Sequence, residues 1–145
     1  MPAIMRRMNA ISRMQSTYRV IALKENEDLG GHHHSFVLAI CHNPGMSQEQ
    51  LGRHLCFNKS TVTRALAYLE ERGYVTRTPS ETDKRIIHVY PTEKMQAILP
   101  RVTEVTKDWQ NALMAGETPE DIEAFSDMLA RMQARAAALL TEGKE

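Results

Sequence analysis

The stretch from Ser47 to Pro91 constrains this chain most, because it sets two short helical patterns, a tight break and a basic-tipped hairpin in direct succession. Ser47 and Gln50 stand in capping-box spacing, and Leu51 and Leu55 follow one turn apart, so SQEQLGRHLC (Ser47 to Cys56) predicts a compact helix. Phe57-Asn58 breaks it. KSTVTRALAYLEERG then predicts a longer helix from Lys59, and Gly73 stands where a left-handed residue costs least. In YVTRTPSETDKRIIHVYP an apolar-polar strand leads to a turn-rich tip holding Pro79, Ser80, Asp83, Lys84 and Arg85, and a β-branched strand returns. The sum is a helix-turn-helix with a wing, a shape suited to a DNA major groove and the minor groove beside it.

The second helix of that unit has two distinct faces. Val62, Leu66 and Leu69, with Ala65 beside them, form an apolar stripe that should pack on Leu51 and Leu55. Ser60, Thr61 and Arg64 lie opposite, with Lys59 and Thr63 at the margins. Short hydroxyls near a helix N-terminus reach phosphates or base edges without holding the helix off the groove floor. The amides at that end add partial positive charge, and Arg64 is the long donor suited to guanine. At the wing, Lys84 and Arg85 can enter a narrow minor groove, and Asp83 can pair with Arg85 or Arg77 to fix the tip. Arg77 has two readings: a phosphate contact or a brace within the wing.

Outside this unit the chain reads as helix. Residues 3 to 27 predict one helix, with Ile4, Met8, Ile11, Tyr18 and Ile21 tending to one side, broken by Gly30-Gly31. A mostly apolar helix follows from His33 to Cys41 or His42 and stops at Asn43-Pro44-Gly45. After Pro91 the chain is helical with one interruption, Gly116 to Pro119. Met95, Ile98, Val102, Val105 and Trp109 form one heptad-like seam, and Ile122, Phe125, Leu129, Met132, Ala136 and Leu139 form another. The C-terminal pair should fold back as a hairpin. An intramolecular bundle would use the same seams, but a second copy of the chain covers them more economically. The expected fold is mainly α with a small β-wing: a winged helix-turn-helix lobe with N- and C-terminal dimerisation helices.

Eighteen cations balance eighteen anions, so the placement of charge matters more than its total. Between Ser47 and Pro91 seven cations face five anions, and the flanks carry the compensating acidic excess. The longest apolar run, Phe36 to Cys41, falls far short of a bilayer span, and Arg6-Arg7 precede no continuous apolar core of a secretory signal. Two cysteines, Cys41 and Cys56, make no disulfide framework, and a reducing cytoplasm is expected. No phosphate-binding glycine loop, nucleophile elbow or HExxH pair is present, so neither catalysis nor a cofactor is expected. His34 and Cys41 lie about 10 Å apart along a helix, too far to share a metal ion, and no metal site is assigned. Three alternatives stay open: a winged module that binds protein instead, a metal-responsive regulator built from the histidines, and a redox-responsive one built on a cysteine.

The run LGRHLCFNKSTVTRALAYLEERGYVTRTPSETDKRIIHVYPTEK resembles the multiple-antibiotic-resistance-regulator (MarR) family of transcription factors. The match lies in STVTR, then LEERGYV, then the Asp83-Lys84-Arg85 tip, and the flanking helices fit in order and length. The resemblance implies a single domain over 1–145, with a DNA-binding lobe at 33–91 and dimerisation regions at 1–29 and 92–145. It implies a homodimer on a pseudo-palindromic operator, usually a repressor released by a small aromatic or phenolic effector, with no membrane partner. By position, Ser60, Thr61 and Arg64 match the family's recognition-helix contacts, and Asp83 and Arg85 match its wing motif. Ligand contacts between lobe and dimerisation helices would fall near Tyr18, His33, Phe36 and Ile40. One departure is visible: Pro91-Thr92-Glu93-Lys94-Met95 stands where the family commonly has Leu-Thr before Glu-Lys-Gly.

Overall fold

A computed structural model describes residues 2–26 and 28–143. Helix α1 spans Pro2–Ala22, a 3-10 turn Lys24–Asn26, α2 His33–His42, α3 Gln48–Leu55 and α4 Lys59–Glu71. Strands β1 (Val75–Pro79) and β2 (Ile87–Pro91) form the hairpin, and helices α5 (Glu93–Leu113) and α6 (Pro119–Glu142) complete the chain. The mainly helical class with a β-wing is as expected. Two boundaries differ. The first helix stops at Ala22 instead of running to 27, because Leu23 turns into the core at 2% exposure and leads into the 3-10 turn. Glu27 itself lies outside the described residues. Pro79, expected in the wing tip, is the last residue of β1 and pairs with Ile87.

Residues up to Trp109 form one compact unit. Its core joins Leu23 and Leu29 of the connector after α1 to Phe36, Val37 and Ile40 of α2 and Leu51 of α3. Val62, Leu66 and Leu69 of α4, Val75 and Val89 of the hairpin, and Met95, Val102 and Val105 of α5 complete it. The stripe on α4 is therefore the face turned inward. Burying a leucine such as Leu66 fully contributes roughly 1.5–3 kcal/mol, which fixes the rotation of α4 about its axis and exposes the opposite face.

The hairpin is antiparallel, with Arg77 opposite Val89 and Thr78 opposite His88. Ser47 bridges to His88, so the start of α3 rests against the returning strand. Thr92 Oγ1 lies 2.6 Å from the Gly73 carbonyl and 3.0 Å from that of Tyr74, and it accepts the Met95 N–H. Met95, where the resemblance implies glycine, is fully buried in the core. The junction from wing to α5 is thus held by a threonine cap and an apolar anchor.

Residues from Gln110 form the second unit. Gly116, at φ +89°, closes the end of α5. Thr118 caps α6: its Oγ1 accepts the Asp121 N–H and donates to Asp121 Oδ2. No described residue of α6 is buried, and Phe125, Met128, Leu139 and Leu140 are exposed. Apolar side chains are also exposed along α1, at Ile4, Met5, Met8, Ile11, Met14, Val20 and Ile21.

Candidate nucleic-acid interface

The start of α3 forms the capping box its spacing predicts. Ser47 Oγ accepts the Gln50 N–H at 3.1 Å, and Gln50 Oε1 accepts the Ser47 N–H at 2.9 Å. Cys56 ends α3 in the left-handed region at φ +59°. A Cβ on Gly52 would come within 3.2 Å of the Phe57 carbonyl and 3.3 Å of Val62, so the two helices meet closely there. Asn58 then caps α4 by accepting the Thr61 N–H at 2.8 Å.

That cap aims the first turn of α4 outward. Lys59, Ser60, Thr63 and Arg64 are exposed and Thr61 is half-buried. Thr63 Oγ1 donates to the Lys59 carbonyl at 2.9 Å, while Arg64 has no ion-pair partner among the described residues. The hydroxyls, a solvated guanidinium and the helix N-terminus thus share one accessible surface, suited to an anionic, hydrogen-bonding partner.

The wing tip is preorganised. Asp83 accepts the Arg85 backbone N–H at 3.0 Å, and its two oxygens take Arg85 Nε and Nη2 at 3.1 Å each. These bonds hold the Asp83 carboxyl below the usual carboxylate range and raise the Arg85 guanidinium further. Ser80 donates its N–H to the Ile86 carbonyl, and Ile86 to that of Asp83, closing the tip. Lys84 is exposed beside Arg85. Arg77 is different: its guanidinium bonds Glu70 at 3.0 Å and Gln48 Oε1 at 3.3 Å. It braces the outgoing strand against α4 and α3.

The expected ligand contacts are dispersed. Phe36 and Ile40 lie inside the core, at 0% and 1% exposure, and Phe36 stacks on Phe57. Tyr18 is half-buried against Trp109, with ring centroids 5.1 Å apart. His33 is buried, accepts the Gly30 N–H on Nδ1 at 2.8 Å and stacks on Tyr68. A concavity of about 260 Å³ between α2 and α3, lined by residues including Leu38, His42 and His54, uses none of the four. Neither Arg19 nor the burial of His34 was legible in the sequence, where His34 was weighed only as a metal ligand. His34 is fully buried with neither ring nitrogen paired among the described residues, and the Nε of Arg19 is likewise buried and unpaired. Burial lowers the Arg19 guanidinium, and burial first, then the charge of Arg19, pushes the His34 imidazole down to about 4.

No group of three or more histidine, cysteine or acidic side chains that could hold a metal occurs among the described residues. Cys41 is half-buried, and burial pushes its thiol up, away from the thiolate a redox sensor needs. No helix among the described residues is long and apolar enough to cross a membrane.

The model of the MarR family matches residues 27–86, from the connector after α1 to the end of the wing tip, and the regulator SlyA is similar in structure with a TM-score of 0.88. Over the winged unit, then, the chain matches the MarR family. SlyA is 26% identical, over 93% of this chain and 94% of its own. A MarR-family regulator from Listeria monocytogenes, solved in complex with a 26mer DNA, is 25% identical with a TM-score of 0.86, over 92% and 89% of the two chains. The uncharacterized HTH-type transcriptional regulator YybA of Bacillus subtilis (strain 168) is 29% identical over 130 residues, covering 90% of this chain and 86% of YybA. These relatives are transcriptional regulators, and this chain carries a winged helix-turn-helix like theirs.

Proposed function

We propose that the chain is a ligand-responsive repressor that binds a pseudo-palindromic operator as a homodimer in the cytoplasm. Residues 33–91 read DNA, and the regions 1–29 and 92–145 join two copies. One observation carries the reading: the outward face of α4, with exposed Ser60 and Arg64 and half-buried Thr61, is accompanied by the Asp83-locked Arg85 at the wing tip. Lys59, Thr63 and Lys84 extend that surface, and Arg77 supports it from behind. The Listeria monocytogenes relative, solved with a 26mer DNA, supports a duplex as the partner. The apolar residues left exposed on α1 and on α6 support a second copy as the occupant of those faces.

The effector is a small aromatic or phenolic anion. Arg19 Nε and both His34 nitrogens are buried and lack partners among the described residues, and a carboxylate or phenolate would accept from the Arg19 Nε–H and from the one protonated nitrogen of the neutral His34 ring. An anion acts as inducer only in proportion to its preference for the conformation that does not fit DNA. Selection of bound sequences from a random duplex pool tests the core of the reading, because a two-fold protein enriches an inverted repeat with half-sites one helical turn apart. Enrichment of a single half-site, or of nothing at about 50 mM salt, would reject it.

A further inference from the structure

We propose that the connector between α1 and α2 is a strap through which α1 sets the pose of the DNA-reading helix, with Arg19, Asp28 and Tyr68 as its positioning residues. The inference rests on α4 being that helix. Asp28 is the strap's anchor. Its backbone carbonyl accepts the Tyr68 O–H, and its Oδ1 accepts the Tyr74 O–H at 2.9 Å. Its Oδ2 lies 3.8 Å from Lys94 Nζ. One residue of the connector thus holds the last turns of α4, the root of the wing and the start of α5.

The same corner is reinforced by contacts that do not involve Asp28. Arg72 lies 3.5 Å over the Tyr68 ring, and Lys94 donates to the Arg72 carbonyl at 2.7 Å. His33, at the start of α2, stacks on Tyr68 with ring centroids 4.7 Å apart. Three residues beyond Asp28 the strap is fastened to α1. Arg19 Nη1 donates to the Gly31 carbonyl at 3.2 Å. A Cβ on Gly31 would fall 2.7 Å from the Ser16 carbonyl oxygen, so the two backbones touch. Leu29, between the two fastenings, is 2% exposed.

A strap pinned at both ends transmits displacement, because a packed segment passes strain on instead of absorbing it. A shift of α1 moves Gly31, and Asp28 carries the movement to Tyr68 and Tyr74. Bonds that merely stabilised the lobe would alter melting temperature and leave the choice among duplexes untouched. Bonds that set the pose of α4 alter the ratio of operator to non-operator affinity.

The test is a double-mutant cycle on operator binding with Arg19→Gln and Tyr68→Phe, each combined with a non-operator duplex and a salt titration. Each single variant should bind operator about tenfold more weakly, with non-operator affinity and the salt slope unchanged. The double variant should also lose about tenfold, because either change releases the same strap. A loss near a hundredfold in the double variant, no loss in either single variant, or an equal loss on every duplex would overturn the proposal. If Arg19→Gln does not fold, Arg19→Lys keeps the charge without the guanidinium reach, and the same cycle applies. Wild-type protein that binds no duplex would defeat the DNA reading, and with it this inference. Loss of the cycle's coupling alone defeats only the strap.

Discussion

Arg85 and Asp83 form a two-point ion pair on the wing in which the arginine side chain remains 91% exposed while the aspartate is 35% exposed. The carboxylate orients the guanidinium without hiding it. Removing the cation and removing its holder should therefore have separable effects. Arg85→Ala should weaken operator binding about tenfold and reduce the salt slope by about one, since one cation no longer meets the backbone. Asp83→Ala should weaken binding less and leave the salt slope nearly intact. Titration of operator by fluorescence anisotropy at several salt concentrations checks both, and identical slopes in wild type and Arg85→Ala would exclude a wing contact.

Arg64 lies on the exposed face of α4 without an ion-pair partner among the described residues. Its replacement by alanine should cost roughly 10–100-fold in operator affinity and relax selectivity at one base position per half-site, the loss expected for one bidentate arginine–guanine contact. Competition with operators substituted base by base reads this directly. A uniform loss across all substituted duplexes would reassign Arg64 to phosphate.

Asn58→Ala removes the acceptor for the Thr61 N–H. The cost should be about 1 kcal/mol of stability, read as a fall of about 3 °C in melting temperature. Because this cap also fixes the turn carrying Ser60 and Thr61, operator affinity should fall as well. Asn58→Asp, which retains an acceptor, should restore most of both. Failure of aspartate to rescue would show that the cap is not what asparagine supplies.

His33 and His34 make stability depend on pH. Burial, followed by the charges of His32 and Arg72, pushes His33 down to about 4 against an opposing pull from Asp28. His34 falls to about 4 through burial, Arg19 and His33. Both histidines are neutral in the folded chain and take up protons on unfolding near their ordinary value of 6.5. Their contribution is thus complete above about pH 6.5 and declines as pH falls towards 4, by on the order of 3 kcal/mol for each histidine. Urea denaturation at pH 7.5, 6 and 5 should show stability falling towards acid, and His34→Gln should flatten the curve. A midpoint independent of pH across that range would contradict the burial of both rings.

Gly31 sits against the Ser16 backbone, so Gly31→Ala forces α1 and the connector apart. A loss of about 1–3 kcal/mol is expected. Gly30→Ala should cost less, because its nearest neighbour is the His33 ring at 3.5 Å. Thermal unfolding of the two variants compares them, and an equal loss would show that close approach at Gly31 is not limiting.

Local chemistry was legible in the sequence wherever partners lie within a few residues. Ser47 with Gln50, Gly73 after α4, and Asp83 with Arg85 are all short-range devices, and their spacing alone announced them. The face of α4 followed from its period, because Val62, Leu66 and Leu69 had to turn inward. What lay beyond reach depends on long-range packing. Tyr68 and Tyr74 meet Asp28 across 40 and 46 residues, and no pattern along the chain orders such pairs. Phe36 and Ile40 were readable as apolar, but whether an apolar residue fills a core or lines a cavity is decided by what packs against it. The end of α1 was hidden because neither glycine nor proline marks it. Leu23 departs from the helix to enter the core instead.

Trp109 is the chain's one tryptophan, and its indole lies 5.1 Å from Tyr18, the neighbour of Arg19. The molecule therefore carries its own optical gauge at the seam between its first helix and α5. Emission from that single fluorophore can follow movement there in unlabelled protein, in real time and without any nucleic acid in the cuvette.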